Sequence, residues 1–208
     1  IIFNQNGLKL GSSSLAINTA INDKCVEQSP NEWWEKANTV IHKSLRDSGN
    51  PHIDFITVTT SASCLVCIDE NGNPLQRAFM VSDKRAEKET AEIKQMPEFD
   101  EVYKDTGLDL TSSLMLPKIY WLKKHMPDVF EKTEYFVTPN DFLIYKLTGR
   151  CVTDYFNAIK YHYDAGKKQY PVNLLKRMGI DANCLPDVKN TGEYIGDVLS
   201  DIADELGI

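Results

Sequence analysis

Between Phe55 and Ile68 the chain carries two short apolar runs, broken by Thr59-Thr60-Ser61-Ala62-Ser63. Runs of this length, rich in β-branched residues and bounded by small polar ones, read as strands. The first spans Phe55 to Thr60. The second spans Leu65 to Asp69 and is followed by the turn signal Asn71-Gly72. Two strands closed off this way need further strands beside them and helices to cover their faces. The break between them is the unusual part. Small hydroxyl residues let a ligand approach the backbone and can bond a polyol. They also suit a plain tight turn, so the stretch alone supports both readings.

The covering helices are marked by their caps. Ser29-Pro30-Asn31-Glu32 offers a capping residue, a proline at the first helical position and a glutamate at the third. Trp33, Trp34, Ala37, Val40, Ile41 and Leu45 then recur at helical spacing, and Gly49 stops the helix. Thr138-Pro139-Asn140-Asp141 repeats the signal, with a helix to Thr148 ahead of Gly149. Phe142, Leu143, Ile144, Tyr145 and Leu147 cover most of its circumference, which predicts deep burial. Further helices are expected from Asp83 to Gln95, Leu116 to His125 and Pro171 to Met178, with Ser200 capping a last one. Strands are expected at Arg77 to Val81 and Tyr135 to Val137. Asn6-Gly7 marks a hairpin between Ile1-Ile2-Phe3 and Leu8-Lys9-Leu10. The class is mixed α/β, with helices dominating after Asp83.

The chain of 208 residues is long enough for one large core. Its net charge of −7 argues against a nucleic-acid backbone as partner. No apolar run reaches the roughly 18 residues of a membrane helix, which argues against a membrane partner. The five cysteines are an odd number and mostly scattered, which reads as free thiols in a reducing cytoplasm. The chain lacks an initiator Met, begins in mid-strand and stops at a helix end, so it is expected to be a piece of something longer. Residues 1–208 read as one domain, incomplete at both ends.

Tests for known chemistry are mostly negative. Cys64-Leu65-Val66-Cys67 has the spacing of a thiol pair, but residues three apart on a strand point to opposite faces. The four histidines show no metal-ligand spacing. Neither a G-x-x-x-x-G-K-[ST] loop, a G-x-G-x-x-G run nor a G-x-S-x-G elbow occurs.

Taken in series, the segments resemble the N-terminal domain of the FGGY carbohydrate kinases, nearest the xylulokinase-like branch. Val26-Glu27-Gln28-Ser29-Pro30-Asn31-Glu32-Trp33-Trp34 is similar to that family's V-E-Q-D-P-E-x-W-W. Cys67 to Leu75 is similar to its L-D-E-x-G-x-P-L turn, and Ser82-Asp83-Lys84-Arg85 stands at its W-x-D-x-R. Thr106-Gly107 with Pro117-Lys118-Ile119-Tyr120-Trp121-Leu122 resembles its T-G and P-K-x-x-W-L. Asn140 to Gly149 resembles its K-D-Y-L-x-x-x-L-T-G, and Val152-Thr153-Asp154-Tyr155 follows in order.

The resemblance implies a ribonuclease-H-like, actin-like ATPase domain, a mixed sheet flanked by helices. It implies a small-molecule sugar as ligand, ATP and Mg²⁺ as cofactors, and a C-terminal kinase domain as covalent partner, with a homodimer admissible. It places the phosphate loop before Ile1 and the catalytic Asp beyond Ile208, so no residue here is the general base. It puts the substrate at Thr59 to Ser63, where xylulokinases have a Met-His pair on the sugar and this chain has Ala62-Ser63. Glycerol kinases have Arg-Glu there and a cleft Trp at the place of Val81; Met115 replaces a usual small hydroxyl residue. Ser61, Ala62, Ser63 and Asp83 are therefore the candidate substrate-binding residues. Asp83 has a second reading as the cap of the helix beside it. Function likewise has two readings: the sugar-binding half of a kinase, or a non-catalytic binding protein that keeps the fold.

Overall fold

In the computed structural model, which describes residues 1–208, the chain starts with a hairpin of β1 (Ile2–Phe3) and β2 (Lys9–Gly11). Its turn is the expected one: Gly7 donates to the Asn4 carbonyl at 2.9 Å with φ +75°. β3 (Thr19–Asn22) and β4 (Cys25–Gln28) pair antiparallel and lead into α1 (Pro30–Asp47). Ser29 caps α1, its Oγ accepting the Glu32 amide at 3.4 Å. The expected reciprocal half of the box is replaced: Glu32 Oε1 accepts from Asn18 and Lys36.

The expected strand from Phe55 to Thr60 does not form. Residues 51–60 belong to no helix or strand, and Phe55 is 90% exposed. Apolar alternation confers strand propensity only; a strand exists when a neighbour accepts its ladder of hydrogen bonds. No backbone hydrogen bond ties residues 51–60 to another segment.

The second apolar run behaves as expected. Cys64 through Ile68 are without exposure, and β5 (Val66–Ile68) lies at their end. β6 (Ala78–Phe79) extends the β3–β4 sheet. Four helices follow: α2 (Glu87–Lys94), α3 (Pro97–Thr106), α4 (Met115–His125) and α5 (Pro127–Lys132). α2 has 8 residues, shorter than the stretch from Asp83 to Gln95 that the charge pattern predicts. α3 and α5, not among the expected helices, each start at a proline, a first-turn signal.

β7 (Tyr135–Val137) pairs antiparallel with β5, Val66 opposite Val137 and Cys67 opposite Phe136. α6 (Pro139–Thr148) then carries the full capping box: Thr138 Oγ1 accepts the Asp141 amide at 3.4 Å and Asp141 Oδ2 accepts the Thr138 amide at 2.8 Å. Only its first turn and Leu147 are fully buried, less than predicted. The chain ends with β8 (Val152–Asp154), α7 (Tyr155–Ala158), α8 (Val172–Met178), β9 (Asp187–Lys189), which runs parallel to β8, and α9 (Ser200–Leu206).

The pair β5–β7 divides the interior in two. Because side chains alternate along a strand, Leu65, Cys67 and Phe136 face one side while Val66, Ile68 and Val137 face the other. The larger core gathers Met115, Leu116, Ile119 and Leu122 of α4 with Ile93, Phe99, Leu174 and Met178. Within it Tyr161 is fully buried, its hydroxyl donating to the Phe136 carbonyl at 3.0 Å. The smaller core joins α1 to α6 through Trp33 and Phe142, edge to face at 6.5 Å. Each large apolar side chain buried here contributes about 1.5–3 kcal/mol.

Candidate functional site

The stretch Thr59 to Ser63 enters β5 from an exposed side to a buried one. Ser61 is exposed, Ala62 half-buried and Ser63 5% exposed. Ser63 holds φ +62°, the left-handed region that costs a residue with a Cβ about 1–3 kcal/mol unless neighbours fix it. Its fixing partner is Lys118. That ammonium has no exposure and donates to the carbonyls of Ser63 at 2.5 Å, Met80 at 2.8 Å and Ser113 at 3.0 Å. Burial pulls the Lys118 ammonium down to about 8, opposed by the Cys64 thiol and the Asp83 carboxylate. Cys64, beside the loop, has its Sγ 4.0 Å from Ser61 Oγ and 3.8 Å from the Ala62 carbonyl. Burial pushes that thiol up, as it pushes Cys67 up to about 12. Cys67 lies in the large core and Cys64 in neither core, so the two thiols do not form a pair.

Asp83 stands on the turn that Lys118 also touches, and is 1% exposed. Its reading as the cap of the following helix is corrected: α2 is preceded by Ala86 and has no side-chain cap. Asp83 instead closes its own turn, Oδ1 accepting the Arg85 amide at 3.0 Å. Oδ2 accepts the Val26 amide at 2.7 Å and Arg85 Nη2 at 2.7 Å, while Arg85 Nε reaches both oxygens at 2.9 and 3.0 Å. The carboxylate thus has its acceptor sites filled from within the chain. Arg85 Nη2 also donates to Glu27 Oε1 at 2.6 Å, and the guanidinium lies 3.7 Å from the Phe79 ring centre. This buried pair locks the Met80–Arg85 turn onto β4 and its neighbours.

The structure therefore joins the loop and the Asp83 turn through Lys118 rather than through the four residues singled out in advance. Lys118 and Arg85 both fall inside the family-like motifs, where neither has an assigned role. A signal existed for Lys118: its neighbours at i±3 and i±4 are Leu114, Met115, Trp121 and Leu122, so its charge sits on an apolar face. Two cavities, of about 190 and 280 Å³, are lined by other segments, around Asp105 and His162 and around Tyr170 and Asp187. No three His, Cys, Asp or Glu side chains converge on one point.

The architecture is mixed α/β, its strands in four small sheets flanked by helices, and comparison assigns the class. The model of the FGGY family of carbohydrate kinases, N-terminal domain, matches residues 1–208. The chain belongs to that family. The xylulose kinase of Staphylococcus xylosus is 26% identical over the whole chain and 44% of its own length. The glycerol kinase of Thermococcus onnurineus is 35% identical over 82% of the chain and 36% of its own length. Among solved structures, a xylulose kinase from Lactobacillus acidophilus superposes with TM-score 0.87 at 19% identity, covering 99% of this chain and 42% of that one. The chain thus spans less than half the length of these relatives.

Proposed function

We propose that residues 1–208 are the sugar-binding half of an ATP-dependent carbohydrate kinase that phosphorylates a hydroxyl of a ketose or polyol. The match of the family's N-terminal domain over residues 1–208 carries the reading. On it, Ser61, Ala62 and Ser63 line the sugar, and Asp83 acts at one remove by holding Arg85 and the Val26 amide. The loop lies on an open face, so the opposite wall of the sugar site and the catalytic carboxylate come from outside this stretch. ATP and Mg²⁺ supply the phosphoryl group and its charge neutralisation there, and catalysis rests on positioning. Closure of the two halves excludes the water that would compete with the sugar.

A second reading, a binding protein without catalysis, rests on Ala62-Ser63 standing where an imidazole would bond the sugar. Both are tested by incubating the full-length protein with ATP, Mg²⁺ and a panel of ketoses and polyols, D-xylulose included. Sugar phosphate formed only with Mg²⁺ present, and none formed by residues 1–208 alone, is the expected result. Saturable sugar binding without phosphorylation favours the second reading. Neither binding nor transfer across the panel overturns both.

A further inference from the structure

We infer that Lys118 is a positioning residue for the sugar, a buried cationic clamp that fixes the loop Thr59 to Ser63 against the Met80–Asp83 turn. The inference rests on the functional reading above for what the loop binds, but the clamp itself is geometry. An ammonium has three N–H donors, and here each has its own backbone carbonyl, at 2.5, 2.8 and 3.0 Å. The three carbonyls belong to three segments: the loop, the turn carrying Asp83, and the residues leading into α4. They converge on one atom of a side chain that has no exposure.

Burying a charge is costly unless every donor is satisfied, and no carboxylate touches this one. An apolar side chain would avoid that cost but leave three carbonyls without this donor. What the ammonium adds is direction. It holds the Ser63 carbonyl inward, which keeps Ser63 at φ +62° and sets where the Ser61 to Ser63 hydroxyls point. The titratable or charged groups facing it are the Cys64 thiol from the loop side and Asp83 and Arg85 from the turn; residues 110–114 carry none. Since burial brings the ammonium down to about 8, the clamp loses a proton at mildly alkaline pH. The neutral amine has two N–H groups for three carbonyls.

The test uses the full-length protein, with Lys118→Met as an uncharged side chain of similar length. Sugar KM is expected to rise about tenfold or more while ATP KM stays within about twofold. Amide hydrogen exchange is expected to accelerate at Leu65, Phe79 and Asp83, whose amides are bonded beside the clamp, and to stay unchanged in α1. In the wild type, sugar KM is expected to climb above about pH 8, and in Lys118→Met that climb disappears. Should Lys118→Met not fold, the wild-type profile decides alone: a sugar KM flat to about pH 9.5 overturns the clamp. Faster exchange with unchanged sugar KM overturns the positioning role and leaves a structural one. Exchange that rises throughout the domain, or nowhere, overturns the clamp itself. A wild type that phosphorylates no sugar overturns the functional reading and the sugar part of this inference, a failure visible before any variant is made.

Discussion

Replacing Asp83 with alanine isolates the ion pair behind the candidate site. Asp83 is 1% exposed and the Arg85 side chain 7%. The substitution leaves the guanidinium with Glu27 as its one acidic partner, and removes the acceptor of the Val26 and Arg85 amides. Removing one member of a buried pair costs about 3–5 kcal/mol. Against a total stability of about 5–15 kcal/mol, this is a large share. For a chain of this size each kcal/mol lowers Tm by about 2–4 °C, so a fall of roughly 10 °C is expected. Thermal unfolding followed by circular dichroism measures it. A second variant, Asp83→Ala with Arg85→Met, removes the stranded charge while keeping an apolar group on Phe79, and is expected to recover about half the loss. A fall under about 3 °C for Asp83→Ala, or a double variant as unstable as the two single losses summed, refutes the pairing argument. A sugar KM that worsens while Tm holds makes Asp83 a direct ligand instead.

Two further outcomes follow from the interior. A Cβ on Gly72, whose φ is +74°, meets Tyr145 Cε1 at 2.3 Å, so Gly72→Ala is expected to cost about 1–3 kcal/mol in a denaturant titration, with Tyr145→Ala relieving the clash but not the backbone strain. Burial pushes Asp141 up to about 7 and pulls His162 down to about 4, and the two act oppositely on stability. Between about pH 4 and 7 the folded chain holds more proton at Asp141 than the unfolded chain, so that group's contribution falls as pH rises; between about pH 4 and 6.5 the unfolded chain holds more at His162, so its contribution grows. Asp141→Asn is therefore expected to gain on the wild type as pH rises to 7, and His162→Gln to gain as pH falls to 4. Denaturation curves at several pH values that stay parallel to wild type refute both.

The elements legible in advance were those whose signal is local. Ser29 and Thr138 cap the helices they were expected to cap, and Asn6-Gly7 turns its hairpin, because a few adjacent residues decide each; Ser200 instead is the first residue of α9, which has no side-chain cap. The strand from Phe55 to Thr60 failed because its existence depends on a partner elsewhere. The helix from Asp83 shrank to Glu87–Lys94 because Asp83, a good capping residue by type, is held by Arg85 and by the Val26 amide 57 residues away. Such long-range pairing leaves no local trace. Serial motifs carried the family correctly, but they ranked Ser61, Ala62, Ser63 and Asp83 above Lys118. The clamp joins positions 63, 80, 113 and 118, and only the folded chain brings them to one point.

The loop beside β5 is anchored on one side only. Downstream of Ser63 every residue to Ile68 is sealed in, while upstream the chain from 51 to 60 pairs with nothing. Substitutions at Thr59 to Ala62 thus fall where few interactions exist to lose, and changes of that kind move stability by about 0.5 kcal/mol or less. Mutation can sample that stretch freely without endangering the scaffold.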